Sequence, residues 1–478
     1  MHPLTHQNKT ILKVLVLLVI IFSNTDGLAS ADALIKKHQI PENKLSIILE
    51  DSESGERLIS INPSTARNPG SVTKIFTAFA ALDILGAGYQ WRTDAFIEEE
   101  NSNQEIVDHL LIRGGGDPSF SLKDLEKLIL NIRAKGIREI RDDIYFDQTF
   151  FRQRKKSTGK FDQSPLRPYN TMHSSLIVNA NKIDLSFNFN EETGKPDITP
   201  LFLPMGIKIE NNLSVGTGKC KDFRSQVTFD EKFRKQTLII LINGVYPAQC
   251  KNLDHDLAIT RTEHYFFGVF KKLWLNSGGT INGYYKKKNK SNKHVLVAHV
   301  FSEELSTALK MMLKESDSLT ARNIFLSLPK FSKRKELRNS RKFLYGSMKG
   351  NNIYWHFRNI IDNGSGLSRV TRIKAESVMS LIQVIDQDTK YSSIKSMLPI
   401  SGVDGTLKNI YQSKLLRGQL RIKTGTLNGV RCLAGFITTK SGNEYRFVFM
   451  HNNYDEYDYD LRSFTTELFN MIVTDSLT

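Results

Sequence analysis

The sequence predicts an α+β fold: one antiparallel sheet covered by helices and split by a long β-rich insertion. Three patterns lead there. Two alternating runs near the start, Lys44 to Glu50 and Arg57 to Asn62, flank a turn region with Gly55 and read as a hairpin. Three more runs of strand character, Gln419 to Thr424, Val430 to Thr438 and Glu444 to Met450, lie near the other end of the chain. Helical periodicity marks 71–85, 305–326 and 374–387. The hairpin and the late meander together can form one sheet, with these helices packed on it.

The 478 residues allow two or three domains, and a composition of 40% apolar and 24% charged residues is that of a globular protein. Lys9 and Lys13 flank the start of an apolar run, Ile11 to Phe22, and small residues follow at Gly27 to Ala31. The run is short for a membrane span, and Ala29-x-Ala31 is a cleavage-type pattern. Residues 1–31 therefore read as a signal peptide cut at or near Ala31, with an uncleaved anchor as the other reading. The formal charge is +16, or +15 without residues 1–31. An exported protein this basic suits anionic envelope material and makes nucleic acid a poor partner. Lys286 to Lys293 and Lys330 to Lys342 concentrate the charge, and each cluster also reads as a solvated loop face. Export allows disulfides: Cys220 and Cys250 flank two strand-like runs and could bridge, whereas Cys432, in an apolar strand, reads as a buried thiol.

Along the insertion, Trp91 to Ile97, His109 to Ile112, Glu139 to Phe146, Ser174 to Ile177, Ile183 to Phe189, Ile207 to Asn211, Gln226 to Phe229 and Thr237 to Ile242 have strand character. Leu122 to Lys135 and Glu263 to Asn276 have helical period. Gly114-Gly115-Gly116 reads as a tight turn, since no helix with Lys-Ser/Thr follows at phosphate-loop spacing. Beyond the 305–326 helix, residues 329–352 are charged and begin as a surface connection, and a last helix spans Leu461 to Val473. The domains expected are a signal peptide at 1–31, one split domain at 32–92 and 301–478, and a β-rich region at 93–300.

Ser71 and Lys74 are the strongest chemical candidates. Three apart at a helix start, they share a face, and the amine can take the hydroxyl proton. Pro69-Gly70 punctuates the chain just before them, and Ile75, Ala78, Leu82 and Leu85 let the helix body be buried. Ser-x-x-Lys is weak alone: it recurs at Ser157/Lys160, Ser332/Lys335 and Ser392/Lys395, in basic or polar stretches. Lys423-Thr424-Gly425 occurs once, ending an alternating strand. There a cation and a hydroxyl suit a substrate carboxylate, and the glycine lets a ligand backbone approach; a surface turn is the other reading.

Taken in order, a Ser-x-x-Lys helix start, the Ser316-Asp317 turn and the Lys-Thr-Gly strand resemble the serine acyl-transferases that react with penicillin. Asp117-Pro118, Asp362-Asn363-Gly364-Ser365-Gly366-Leu367-Ser368-Arg369, Leu398 to Leu407, and Lys423 to Val430 running on to Leu433-Ala434-Gly435-Phe436 are similar to the class C low-molecular-mass penicillin-binding proteins. These are D-alanyl-D-alanine carboxypeptidases and endopeptidases of the bacterial envelope. The resemblance covers nearly the whole mature chain. It implies a penicillin-binding, serine β-lactamase-like transpeptidase domain, periplasmic location in a Gram-negative bacterium, peptidoglycan peptide stems as substrate and β-lactams as covalent inhibitors. It implies no cofactor and no metal; the eleven histidines show no ligand pair at helical spacing.

By the same resemblance, Ser71 would attack the D-Ala-D-Ala carbonyl, with Lys74, kept neutral by burial or neighbouring charge, as base. Ser316 would relay the proton to the leaving D-alanine. Lys423 and Thr424, beside Gly425, would hold the terminal carboxylate, and the N–H groups of Ser71 and Thr426 would form the oxyanion hole. One position departs. The second motif of the family is Ser-x-Asn, and here Ser318 stands in the Asn place. Ser186 to Asn188 and Ser441 to Asn443 match the motif but fall in a strand and a turn. Losing one amide hydrogen bond costs about 1–3 kcal/mol, roughly ten- to a hundredfold in rate. Reduced acylation is the leading expectation. An inactive wall-binding member of the same fold is the alternative, and a serine β-lactamase fits less well, since no deacylating base is evident.

Overall fold

The first hairpin forms where the alternation places it, with strands β1 (Leu45–Asp51) and β2 (Arg57–Ile61) paired antiparallel. At the turn, Asp51 Oδ1 accepts from the backbone nitrogens of Glu53 and Ser54. Gly55 takes the positive φ of 74° that side chains resist. This computed structural model describes residues 27–477 except 102–103, 153–158, 160, 333–334 and 454–459. Of the expected export segment, residues 1–26 lie outside the described residues, as do Ser157 and Lys160. Residues 27–31 open a helix, α1 (27–37), that buries Ala31, Leu34 and Ile35.

The closing meander supplies β3 (Leu420–Leu427), β4 (Val430–Thr438) and β5 (Glu444–Asn452). The sheet order is β3-β4-β5-β1-β2, antiparallel throughout, so β3 is an edge strand. Alternation sorts its residues to two faces. Ile47, Leu49, Ile422, Leu433 and Phe449 share one apolar core with α1 and with α7 (Leu461–Val473). On the other face, α6 (Ala375–Gln387) packs against β1 and β5. Arg446 of β5 is 2% exposed there, donating to Glu50 Oε1 at 2.9 Å, Asp386 Oδ2 at 2.8 Å and Ser52 O at 2.8 Å. Three acceptors satisfy a guanidinium that burial would otherwise penalise heavily.

The helical run expected over 305–326 is two helices, α3 (Leu305–Lys314) and α4 (Ser318–Ser327). Ser316 breaks it with φ +59°, a left-handed conformation costly for a side-chain-bearing residue. Asp317 then restarts it, its Oδ1 accepting from Thr320 N as a helix cap. The connection expected over 329–352 soon becomes a third helix, α5 (Leu337–Gly350), whose buried Leu344 and Met348 lie four apart.

Two compact units result. One comprises the chain up to Ala87, Leu309–Ala321 and Leu337 onward; the other comprises Gly88–Ala308 and Arg322–Glu336. The expected boundaries at 92/93 and 300/301 shift outward because strands Arg92–Glu98 and His294–Phe301 pair with each other inside the second unit. That unit joins a five-stranded sheet and three three-stranded sheets to helices Leu122–Ala134 and Thr262–Asn276. Cys220 and Cys250 are disulfide-bonded within it, and Cys432 in the first unit is a buried free thiol. Residues 174–177 do not form the strand expected of them. Their polar groups bond to distant loops instead: Ser175 O accepts from Gly116 N, and Ser174 Oγ from Gln148 Nε2. A Cβ on Gly114 or Gly115 would strike Ser175 O or Arg92 O at 2.0 and 2.1 Å, so the glycines serve close packing.

Arg446→Ala would remove the guanidinium that bridges the buried carboxylates of Glu50 and Asp386, leaving Glu50 to Gln383 and Arg57 and Asp386 to Lys395. It is expected to destabilise the protein by about 1–3 kcal/mol, read as a lowered urea midpoint; an unchanged midpoint would count against the account of this face.

Candidate active site

The site begins at the turn that feeds the long buried helix α2 (Thr73–Ile84). Asn68 anchors the turn: its Oδ1 accepts from Gly70 N, its Nδ2 donates to Ser368 O, and its backbone N donates to Asn452 Oδ1 of β5. Gly70 takes φ +52°, and Ser71 lies in a single 3₁₀ turn, Gly70–Val72, that runs straight into α2. Ser71 is partly exposed, whereas Lys74, one turn on, is fully buried.

Lys74 Nζ lies 3.0 Å from Ser71 Oγ, 3.3 Å from Ser318 Oγ and 2.6 Å from Ser365 O. A neutral amine has two N–H groups and one lone pair. In that form its hydrogens can serve Ser365 O and Ser318 Oγ, and its lone pair can face the Ser71 hydroxyl. That is the arrangement proton removal from Ser71 requires.

The two serines of the broken helix divide between two lysines. Ser318, at the first position of α4, meets Lys74, while Ser316 Oγ accepts from Lys423 Nζ at 2.9 Å. Asp317 serves the helix cap instead of the cleft. Lys423 is completely buried on β3 and also donates to Thr424 O at 3.1 Å. Burial pushes its pKa down to about 7, against the smaller upward pull of the Glu315 carboxylate.

The backbone of β3 completes the site. Ile422 N donates to Pro399 O on the open side of the strand, so by alternation Thr424 and Thr426 also turn their backbone groups away from β4. Gly425 lies against the serine turn: a Cβ there would fall 2.4 Å from Pro69 O and 3.0 Å from Ser71 N. A Cβ on Gly70 would fall 3.4 Å from Thr426 N. The nitrogens of Ser71 and Thr426 thus flank the Gly70–Gly425 contact, where two N–H groups can converge on one oxygen. Thr424 Oγ1 lies 3.1 Å from Thr406 Oγ1.

The site therefore gathers Ser71, Lys74, Ser316, Ser318, Lys423, Thr424, Gly425 and Thr426. Four contributors, Ser365, Gly364, Gly366 and Lys314, were not assigned from the sequence, though the segments carrying them were singled out. Ser365 supplies a carbonyl to Lys74, and Gly364 O accepts from Thr77 Oγ1 at 2.7 Å. Gly366, at φ +80°, has room for no side chain: a Cβ would lie 1.9 Å from Gly70 O. Lys314 holds the 398–407 loop, donating to Leu398 O at 2.7 Å and Asp404 Oδ2 at 2.6 Å. Carbonyl acceptors leave no side-chain signature in a sequence, and that is why the first was missed.

Comparison with known proteins places the chain in a family. The model of the D-Ala-D-Ala carboxypeptidase 3 (S13) family matches residues 28–467. The D-alanyl-D-alanine carboxypeptidase DacB of Haemophilus influenzae is 24% identical over 438 residues, covering 89% of this chain and 89% of its own. The D-alanyl-D-alanine carboxypeptidase of an Actinomadura species is 24% identical over 444 residues, covering 88% of this chain and 80% of its own. The crystal structure of penicillin binding protein 4 (dacB) from Haemophilus influenzae superposes with a TM-score of 0.78 at 23% identity, covering 93% of this chain and 99% of that one.

Two outcomes follow from this geometry. Gly366→Ala should push the 362–369 loop off Gly70 and abolish labelling of Ser71 by a fluorescent penicillin in a folded protein; retained labelling contradicts the packing. Lys423 is protonated below about pH 7 and neutral above it. A peptide ending in a free carboxylate should lose kcat/KM relative to its C-terminal amide as pH rises from about 6 to about 9. Taking the ratio cancels the titration of groups that serve both substrates; a flat ratio removes Lys423 as the carboxylate partner.

Proposed function

Because the chain belongs to the D-Ala-D-Ala carboxypeptidase 3 (S13) family, we propose that it is an active serine D-alanyl-D-alanine peptidase of the bacterial envelope, with Ser71 as nucleophile. The observation that carries this reading is Lys74 Nζ, buried, 3.0 Å from Ser71 Oγ and held from behind by Ser365 O.

In this mechanism Lys74 takes the hydroxyl proton as Ser71 Oγ attacks the carbonyl of the penultimate D-alanine. The N–H groups of Ser71 and Thr426 stabilise the oxyanion. Lys423 and Thr424 hold the terminal carboxylate. The leaving amine takes up the proton, with Ser316, hydrogen-bonded to Lys423, as its proposed last donor; the C–N bond breaks, and D-alanine departs from an ester on Ser71. Water then attacks the ester, the shortened peptide leaves, and Ser71 recovers its proton through Lys74. A β-lactam would acylate the same hydroxyl, its ring amide replacing the scissile bond.

Ser318 bears on rate. Its hydroxyl keeps the contact to Lys74, and it lacks the amide that an asparagine would offer the substrate. The retained contact favours an attenuated enzyme over an inactive scaffold.

Export to the periplasm of a Gram-negative bacterium belongs to the same proposal. It is supported by the charged and apolar pattern of residues 9–31 and by the Cys220–Cys250 disulfide, which suits an oxidising compartment. No helix among the described residues is long and apolar enough to cross a membrane. The charge of +16 suits peripheral contact with anionic envelope material.

Purified protein should form a covalent adduct with a fluorescent penicillin, and Ser71→Ala should form none. Absence of an adduct in the parent protein refutes the enzymatic reading. Ser318→Asn is expected to speed acylation by about ten- to a hundredfold; an unchanged rate would show that Ser318 is not the limiting feature.

A further inference from the structure

Beside the open edge of β3 lies a cavity of about 130 Å³, of which the reaction above uses only the β3 wall. Thr424, Gly425 and Thr426 form one wall, and Arg431 of β4 and Arg462 of α7, both exposed, line it as well. Cross-strand partners share a face of a sheet, so Thr424 lies with Leu433, and Thr426 with Arg431. Leu433 packs in the core beneath α7. Gly425 and its partner Cys432 belong to the opposite face, where Cys432 Sγ donates to Asn68 O beside the serine turn. A ligand crossing the edge at Thr424 passes from the catalytic face to this cavity.

In the proposed reaction, the residue after the scissile bond brings its carboxylate to Thr424. Its side chain leaves the same Cα and can extend into the cavity that Thr424 lines. Leu407, Ile410 and Phe449 give the cavity apolar walls suited to methylene groups. The volume is that of roughly four waters at about 30 Å³ each, more than the methyl of a D-alanine fills.

The cations are placed for an acid. Arg431 Nη1 donates to Leu427 O and Val430 O, both at 3.0 Å, which fixes the guanidinium plane. Among the described residues its Nε and Nη2 donate no hydrogen bond to protein, so that edge of the fork is available for bidentate contact with a carboxylate. Arginine also keeps its charge at any working pH, whereas burial holds Lys423 near its titration point.

We propose that this cavity is a leaving-side specificity pocket, in which Arg431 and Arg462 select a residue with an extended side chain ending in a carboxylate. The inference rests on Ser71 as nucleophile and on Thr424 as the carboxylate site. It makes the protein a peptidase that prefers an acidic D-amino acid after the scissile bond.

Three peptides with the same acyl part, ending in D-Ala-D-Glu, D-Ala-D-Gln and D-Ala-D-Ala, test it with the purified full chain. Release of the last amino acid is measured by chiral chromatography, and Ser71 labelling by fluorescent penicillin is run beside it. The expected kcat/KM for D-Glu exceeds that for D-Gln by about tenfold or more, and Arg431→Gln/Arg462→Gln brings the ratio below about threefold. Arg431→Lys, which keeps the charge and loses the fork, should retain part of the preference. A ratio of about 1 in the parent protein, or an unchanged ratio in the double variant, overturns the pocket while labelling leaves Ser71 standing. No labelling and no release from any peptide overturns both readings.

Discussion

Gly70, Gly366 and Gly425 bring three stretches of backbone together with no side chain between them, and the site depends on that contact. Gly425 lets β3 press on the serine turn, and Gly366 lets the 362–369 loop press on it from another side. A methyl at Gly366 would overlap Gly70 O at 1.9 Å, far inside contact distance. The approach sets the backbones of Ser71 and Thr426 on either side of the Gly70–Gly425 contact and brings Ser365 O against Lys74. Positioning of this kind is set by packing and does not wait for a ligand.

The same contact makes burial of two lysines tolerable. Each amine would be costly alone in an apolar surround. Lys74 finds Ser71, Ser318 and Ser365, and Lys423 finds Ser316 and Thr424 O. These partners are hydroxyls and carbonyls. Burial holds Lys423 close to its titration point, and the 3.0 Å contact sets Lys74 beside the hydroxyl of Ser71.

The strain at Ser316 belongs to that design. A continuous helix over 305–326 would carry residues 316 and 318 about 200° apart around its axis. The left-handed turn at Ser316, followed by the cap at Asp317, lets the two hydroxyls serve different lysines. A conformation that costs energy locally is held by the elements on either side of it.

Much of this was legible in the chain. Alternation marked β1, β2 and the closing meander, because a half-buried strand must separate its faces residue by residue. Ser71 with Lys74, and Lys423 with Thr424, were legible because their chemistry resides in side chains at short, characteristic spacing. Other features were decided only by the tertiary structure. The break at 315–317 was hidden because 305–326 keeps an apolar period on both sides of it, and periodicity does not register one residue's φ. The helix at 337–350 was obscured by its charge, since only a narrow stripe including Leu344 and Met348 is buried. The role of Ser365 is a carbonyl, which every residue has. The pairing of Ser316 with Lys423 and Ser318 with Lys74 joins residues about a hundred and more than two hundred positions apart. A sequence determines which groups are available and which face of an element they share; which of them meet across the chain follows from how the backbones pack.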